Sequence, residues 1–256
     1  MSRPSTLAIR LVILVLCCAC PRAGLEATTA IVLRNRYRIV LAADSRALYG
    51  VNGAATECKL FELGDVYATM SGLVHYGRSY RATGVIREGF SAPGSFQTHV
   101  ATTASRLQSA VQRLLNTLRS QNPAEYQRLL QPSRGRSDLV QLAVAQVVNR
   151  RPMLAIIELQ AGGAGQLQVR TTICPGQCRQ DDMYYLGYWD HIQPYVADSG
   201  QPRNVASAAS LDRLIRMEIK AHPGRVGAPI NVLEVNGSGA HWLQNGGNCS
   251  LPGVGW

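Results

Sequence analysis

The chain has 256 residues, 46% of them hydrophobic and 16% charged, with a formal charge of +10. That length and apolar content exclude a disordered chain and allow one domain with a substantial core. The basic excess is scattered arginine, with Lys59 and Lys220 the only lysines and no basic block interleaved with aromatics; it reads as solubilising surface charge and excludes a nucleic-acid interface as the expected partner site.

The first 27 residues have the shape of a secretory leader. Arg3 and Arg10 precede the apolar run "LVILVLCCA", and small residues follow at Ala19, Ala23 and Ala27. The run is short for a bilayer span, so a signal peptide or otherwise removed leader over 1–27 and a single domain over 28–256 are expected. Cleavage after Ala27 leaves Leu25 at a poor position for signal peptidase. The alternative is a propeptide removed by the chain itself, which would place the protein in the cytoplasm instead of the periplasm or the extracellular space. No later run is apolar enough for a stable membrane span.

Two strands open the rest: "TTAIVL" (28–33) and "RIVLAAD" (38–44), β-branched and apolar around a polar turn. A second pair, 55–63 and 66–72, turns at Gly64-Asp65. In the first of these, Glu57, Lys59 and Phe61 share one face and Cys58, Leu60 and Glu62 the other. A helix is predicted over 74–90. A longer one over 95–120 carries Val100, Ala104, Leu107, Val111, Leu114 and Leu118 as one apolar stripe. Asn122-Pro123 starts another helix. Strands return in a hairpin about 149–152, then over 166–174 and 183–189. A helix over 204–220 and a strand over 230–235 close the pattern, with the Gly- and Asn-rich tail read as loop. Four cysteines lie outside the leader, Cys58, Cys174, Cys178 and Cys249, and their even number suggests disulfides with three connectivities open. No histidine stands at finger-like spacing near them, so no metal and no cofactor is expected.

Which residues have chemistry in them? A threonine hydroxyl is a weak nucleophile that needs a base. A threonine at a chain start carries its own base, an α-amino group with a pKa of about 7.7–8.0. A nearby lysine lowers that pKa by like-charge repulsion, and a carboxylate holds the lysine. Thr28, Asp44 and Lys59 supply that set, and the apolar leader before Thr28 makes an exposed terminal threonine attainable.

The segments "TTAIVL", "RIVLAADSRALYG", "TECKLFEL" and "VYATMSG" together resemble the N-terminal half of a proteasome β-type subunit, closely from Thr28 to about Gly72 and by layout beyond. The resemblance implies an α+β fold, a four-layer αββα sandwich of two mainly antiparallel sheets flanked by helices, and an N-terminal nucleophile (Ntn) threonine peptidase that self-associates in rings or other homo-oligomers. It places the nucleophile at Thr28 and the amine-tuning lysine at Lys59, organised by Asp44 and Arg46. Gly72 would donate its N–H to the oxyanion, and Ala47, Phe61 and Met70 would line the specificity pocket. The second half departs from the pattern. Tyr188 in "YLGYWD" stands where a serine is expected, and "AHPGRVGAP" after the last helix lacks an expected Asp and Ser; His222 is a candidate replacement. Three functions are therefore carried forward: an exported threonine peptidase, an Ntn hydrolase of small amides, and a binding or scaffold protein that has lost turnover.

Overall fold

A computed structural model describes residues 23–26, 28–49, 53–131, 138–179, 182–198, 207–247 and 249. Most of the expected leader and the loop over 50–52 lie outside them. The leader's last stretch does not: Ala23–Glu26 form strand β1. After it come β2 (Thr29–Arg34), β3 (Arg38–Ala43), β4 (Arg46–Tyr49), β5 (Gly53–Thr56), β6 (Leu60–Glu62) and β7 (Val66–Tyr76). The chain continues through β8 (Tyr80–Arg81), α1 (Ala82–Phe90), α2 (Phe96–Gln121), α3 (Pro123–Leu130), β9 (Asp138–Val148) and β10 (Arg151–Ala161). It ends with β11 (Leu167–Cys174), β12 (Asp182–Gly187), α4 (Ile192–Asp198), α5 (Ala208–Ala221), β13 (Asn231–Asn236) and β14 (Gly239–Gln244).

The class is α+β, and every strand pairing is antiparallel. One sheet has the order β1-β7-β9-β10-β11, with β6 and β8 also on β7; a second has the order β12-β2-β3-β13-β14; β4 and β5 make a small third. The period-two pattern of β2 and β3 decides how the sheets bury themselves. Ala30, Val32, Leu41 and Ala43 face a core shared with Ala143, Ala145, Leu154 and Ile156 of the first sheet. Ile31, Leu33, Val40 and Ala42 face the other way, onto Ile192 of α4 and Leu211, Leu214 and Ile215 of α5. Strands buried on both faces have no polar face to alternate with, which is why both segments are apolar throughout. A third core lies where the α2 stripe from Val100 to Leu118 meets Ala68, Met70, Leu142, Val144, Ala155 and Ile157. Ser95 caps α2 by accepting from the Thr98 N–H, and Asn122 caps α3 ahead of Pro123.

Three expectations are corrected. The helix over 74–90 begins only at Ala82, because Val74 and Tyr76 are buried and extend β7 until Gly77, at φ +51°, turns the chain. The strand over 55–63 splits into β5 and β6, which belong to different sheets, leaving Glu57–Lys59 outside both. The tail read as loop contains β14, paired with β13 across a Gly237-Ser238 turn. The β9–β10 hairpin turns at Asn149-Arg150 with both residues at positive φ (50° and 61°), as a two-residue turn matched to strand twist demands.

Candidate active site

Thr28 sits at the mouth of β2, and neither it nor Thr29 is exposed to solvent. Its carbonyl accepts from the Tyr188 N–H at 2.8 Å. Its hydroxyl Oγ1 is buried and has no hydrogen-bond partner among the described residues. A hydroxyl so placed costs desolvation free energy without a compensating bond. In this chain Thr28 follows residue 27 through a peptide bond, so its nitrogen is an amide rather than a free amine.

Asp44, at the end of β3, is the hub of the site. Its Oδ1 accepts from the Thr29 N–H at 2.9 Å and from Lys59 Nζ at 3.0 Å. Its Oδ2 accepts from the N–H of Arg46 at 3.1 Å and of Gly227 at 3.0 Å. The carboxylate is fully buried and Lys59 is 1% exposed. A buried ion pair survives only when the remaining lone pairs are satisfied, and here three backbone N–H groups do so. Lys59 reaches Asp44 from the break between β5 and β6. The sequence-predicted set of Thr28, Asp44 and Lys59 is thus brought together at the start of β2.

The other expected residues fall out differently. Arg46 meets Asp44 through its backbone N–H, while its side-chain carbons pack where a Cβ on Gly227 would stand, the nearest at 3.0 Å. Gly72 lies in β7 at φ +91°, opposite Val140 on one side and Glu26 of β1 on the other. A Cβ there would meet the Leu139 carbonyl oxygen at 2.2 Å, so only glycine fits. Met70 is wholly buried beneath the helices, with Phe61 packed against the same core, and Ala47 is buried in β4. Cys58 pairs with Cys249 and Cys174 with Cys178, which resolves the three open connectivities. The first bridge ties the tail to the residue next to Lys59.

Sequence reasoning missed several contributors. Gly187, at φ +74°, lies so close that a Cβ would stand 1.8 Å from the Thr28 carbonyl oxygen and 2.6 Å from Ser71 Oγ. Ser71, buried on β7, therefore flanks Thr28. Gln141 on β9 accepts from the Gly187 N–H at 2.8 Å and fixes that turn. The segment "AHPGRVGAP" does reach the site, but through its backbone: Gly227 donates to Asp44 and accepts from the Ser45 N–H at 2.9 Å. Its glycine pair was the available signal, since glycine marks a close approach of main chain. Glu218 on α5, fully buried, accepts from the N–H groups of His191 and Ile192 at 2.6 and 3.1 Å and caps α4.

This α+β architecture is shared with proteins of known structure. Two of the solved structures that share it are of Anbu. Anbu (ancestral beta-subunit) from Yersinia bercovieri is 12% identical, with a TM-score of 0.52, covering 84% of this chain and 87% of that one. The Anbu (Gly-1) mutant from Hyphomicrobium sp. strain MC1 is 14% identical, with a TM-score of 0.50 and the same coverage. At these identities the likeness is one of fold. No protein-family model matches the chain, and no curated protein matches it. The expected membership of the proteasome β-type subunits is therefore corrected to the broader fold. Among the described residues no helix is long and apolar enough to cross a membrane.

Proposed function

We propose that this chain is the precursor of a threonine peptidase that uses Thr28 as an N-terminal nucleophile. The observation that carries the proposal is the sharing of Asp44 Oδ1 between the Thr29 N–H and Lys59 Nζ, in a fully buried site one residue from Thr28. Removal of the leader converts the Thr28 amide into an amine. Lys59 lowers the pKa of that amine, which takes the Oγ1 proton as the oxygen attacks a carbonyl carbon. The Gly72 N–H stabilises the oxyanion, a contribution of the kind whose loss costs about 10²–10³ in rate. The protonated amine gives its proton to the leaving nitrogen, and water hydrolyses the ester.

The substrate is an extended peptide. β1 supports this: its backbone lies antiparallel along Gly72–Tyr76 immediately before Thr28, as an added strand would. Ala47, Phe61 and Met70 set an apolar preference beside the scissile bond. The three cores support a helix–sheet–sheet–helix stacking of four layers. Two disulfides support export to an oxidising compartment, and the protein self-associates there.

N-terminal sequencing of the purified protein beside Thr28→Ala tests the reading. The parent should begin at Thr28 and cleave unstructured peptides, and the variant should cleave none. A parent that starts upstream of Thr28 with turnover equal to the variant's would sink it.

A further inference from the structure

On the far side of Tyr188 from Thr28 lies a second cluster that the hydrolytic reading does not use. His191, Glu218 and His222 each turn one potential ligand atom inward, and the three atoms lie within 4.8 Å of one another. Glu218 Oε1 is taken up by the backbone N–H groups of His191 and Ile192. Its Oε2 faces the two imidazoles, His191 Nδ1 at 3.4 Å and His222 Nε2 at 3.5 Å.

Two readings compete. In one, both histidines hydrogen-bond the carboxylate. The His191 contact is a long hydrogen bond at 3.4 Å, and both separations exceed the about 2.7–2.9 Å of a charge-assisted one. In the other, the three atoms are edges of a coordination polyhedron. Four ligands about 2.1 Å from a tetrahedral metal stand about 3.4 Å from one another, and both measured edges agree with this. The ligand set fits as well: two neutral imidazoles and one carboxylate suit a borderline divalent ion. Glu218 lies in the last turn of α5, and His222, four residues on, caps the end of that helix. The buried carboxylate is already held by two backbone donors, the outer-shell fixing that metal ligands require. His191 is half exposed, which leaves an approach from solvent and an open fourth position for water.

We propose that His191, Glu218 and His222 form a zinc-type divalent metal site. Its place in the fold assigns it a positioning role. The metal clamps the segment after β12 to the end of α5. That segment follows Gly187, the last residue of β12, whose backbone abuts Thr28, and carries Tyr188, whose N–H holds the Thr28 carbonyl. The Tyr188 ring also packs on His222, with ring centroids 5.3 Å apart. The site does not depend on the peptidase reading, because it is defined by binding.

The test uses the full chain, stripped with chelator and titrated with zinc chloride against a chromophoric competitor. One zinc per chain should bind, and cobalt(II) should give the visible bands of a tetrahedral site. His191→Ala removes a half-exposed ring and leaves both backbone bonds to Glu218 in place, so the fold is retained; affinity should fall at least about a hundredfold. His241→Ala is the control. It faces Glu234 at 3.5 Å, a carboxylate already held by Arg38 and Asn236, and should leave binding unchanged. Absence of stoichiometric zinc binding overturns the proposal. So does equal affinity in His191→Ala, or an equal loss in His241→Ala.

Discussion

Replacing Asp44 by Asn changes one atom and removes one charge, and its cost can be worked from the hydrogen bonds. The carboxylate accepts four donors, two on each oxygen. An amide has one oxygen, so its NH2 must face either the Thr29 N–H and Lys59 Nζ or the N–H groups of Arg46 and Gly227. In the better orientation two buried backbone donors lose their acceptor, at about 1–3 kcal/mol each. Lys59, 1% exposed, loses its counter-ion as well, and breaking a buried pair costs about 3–5 kcal/mol. The terms overlap, so at least about 3 kcal/mol is expected, a large share of a typical stability of about 5–15 kcal/mol. Urea unfolding followed by far-UV circular dichroism measures it, with an unchanged slope and a lowered midpoint. A second substitution, Lys59→Met, removes the stranded ammonium and should return part of the loss, as a coupled pair requires. A loss below about 1 kcal/mol in Asp44→Asn, or simple additivity with Lys59→Met beyond an error of about 0.5 kcal/mol, would refute the view of Asp44 as the hub.

Two further outcomes follow from the same structure. Gly187→Ala must push a methyl into the Thr28 carbonyl; Gly64→Ala, at φ +80° with nothing within 4 Å, bears only the left-handed backbone cost of about 1–2 kcal/mol. Thermal unfolding should show Gly187→Ala to be the more destabilised of the two. Glu158 on β10 has its pKa raised, by burial first and by Asp138 second. A raised carboxyl binds more protons folded than unfolded, so its contribution to stability falls as pH rises from the unfolded pKa through the folded one. Glu158→Gln should therefore stabilise the protein at neutral pH, and the gain should vanish once pH falls below about 4.3. Urea midpoints at the two ends of that range check the sign.

The cluster of Thr28, Asp44 and Lys59 was legible because its members lie within one short block of sequence. Thr28 and Asp44 flank two continuous apolar runs, and Lys59 sits between β5 and β6. The α2 stripe was legible for a similar reason, its period being local. What failed was tertiary. Val74–Tyr76 read as helix because nothing nearby reveals that β1 and β8 will pair with that segment. Nothing in the sequence around Glu218 reveals that it will be buried against the backbone of His191, 27 residues away. Tyr188 was marked as a missing serine, yet its contribution is a backbone N–H that any residue but proline supplies. The serine that does flank Thr28, Ser71, comes from another strand.

The bridge between Cys58 and Cys249 spans 191 residues of sequence. During synthesis the lysine's neighbour therefore leaves the ribosome long before its partner. The wall beside Lys59 is covalently finished only when the tail has arrived and been oxidised. A chain truncated in the tail, or kept among reducing agents, would have every residue of the reactive set and still lack the tie that closes it.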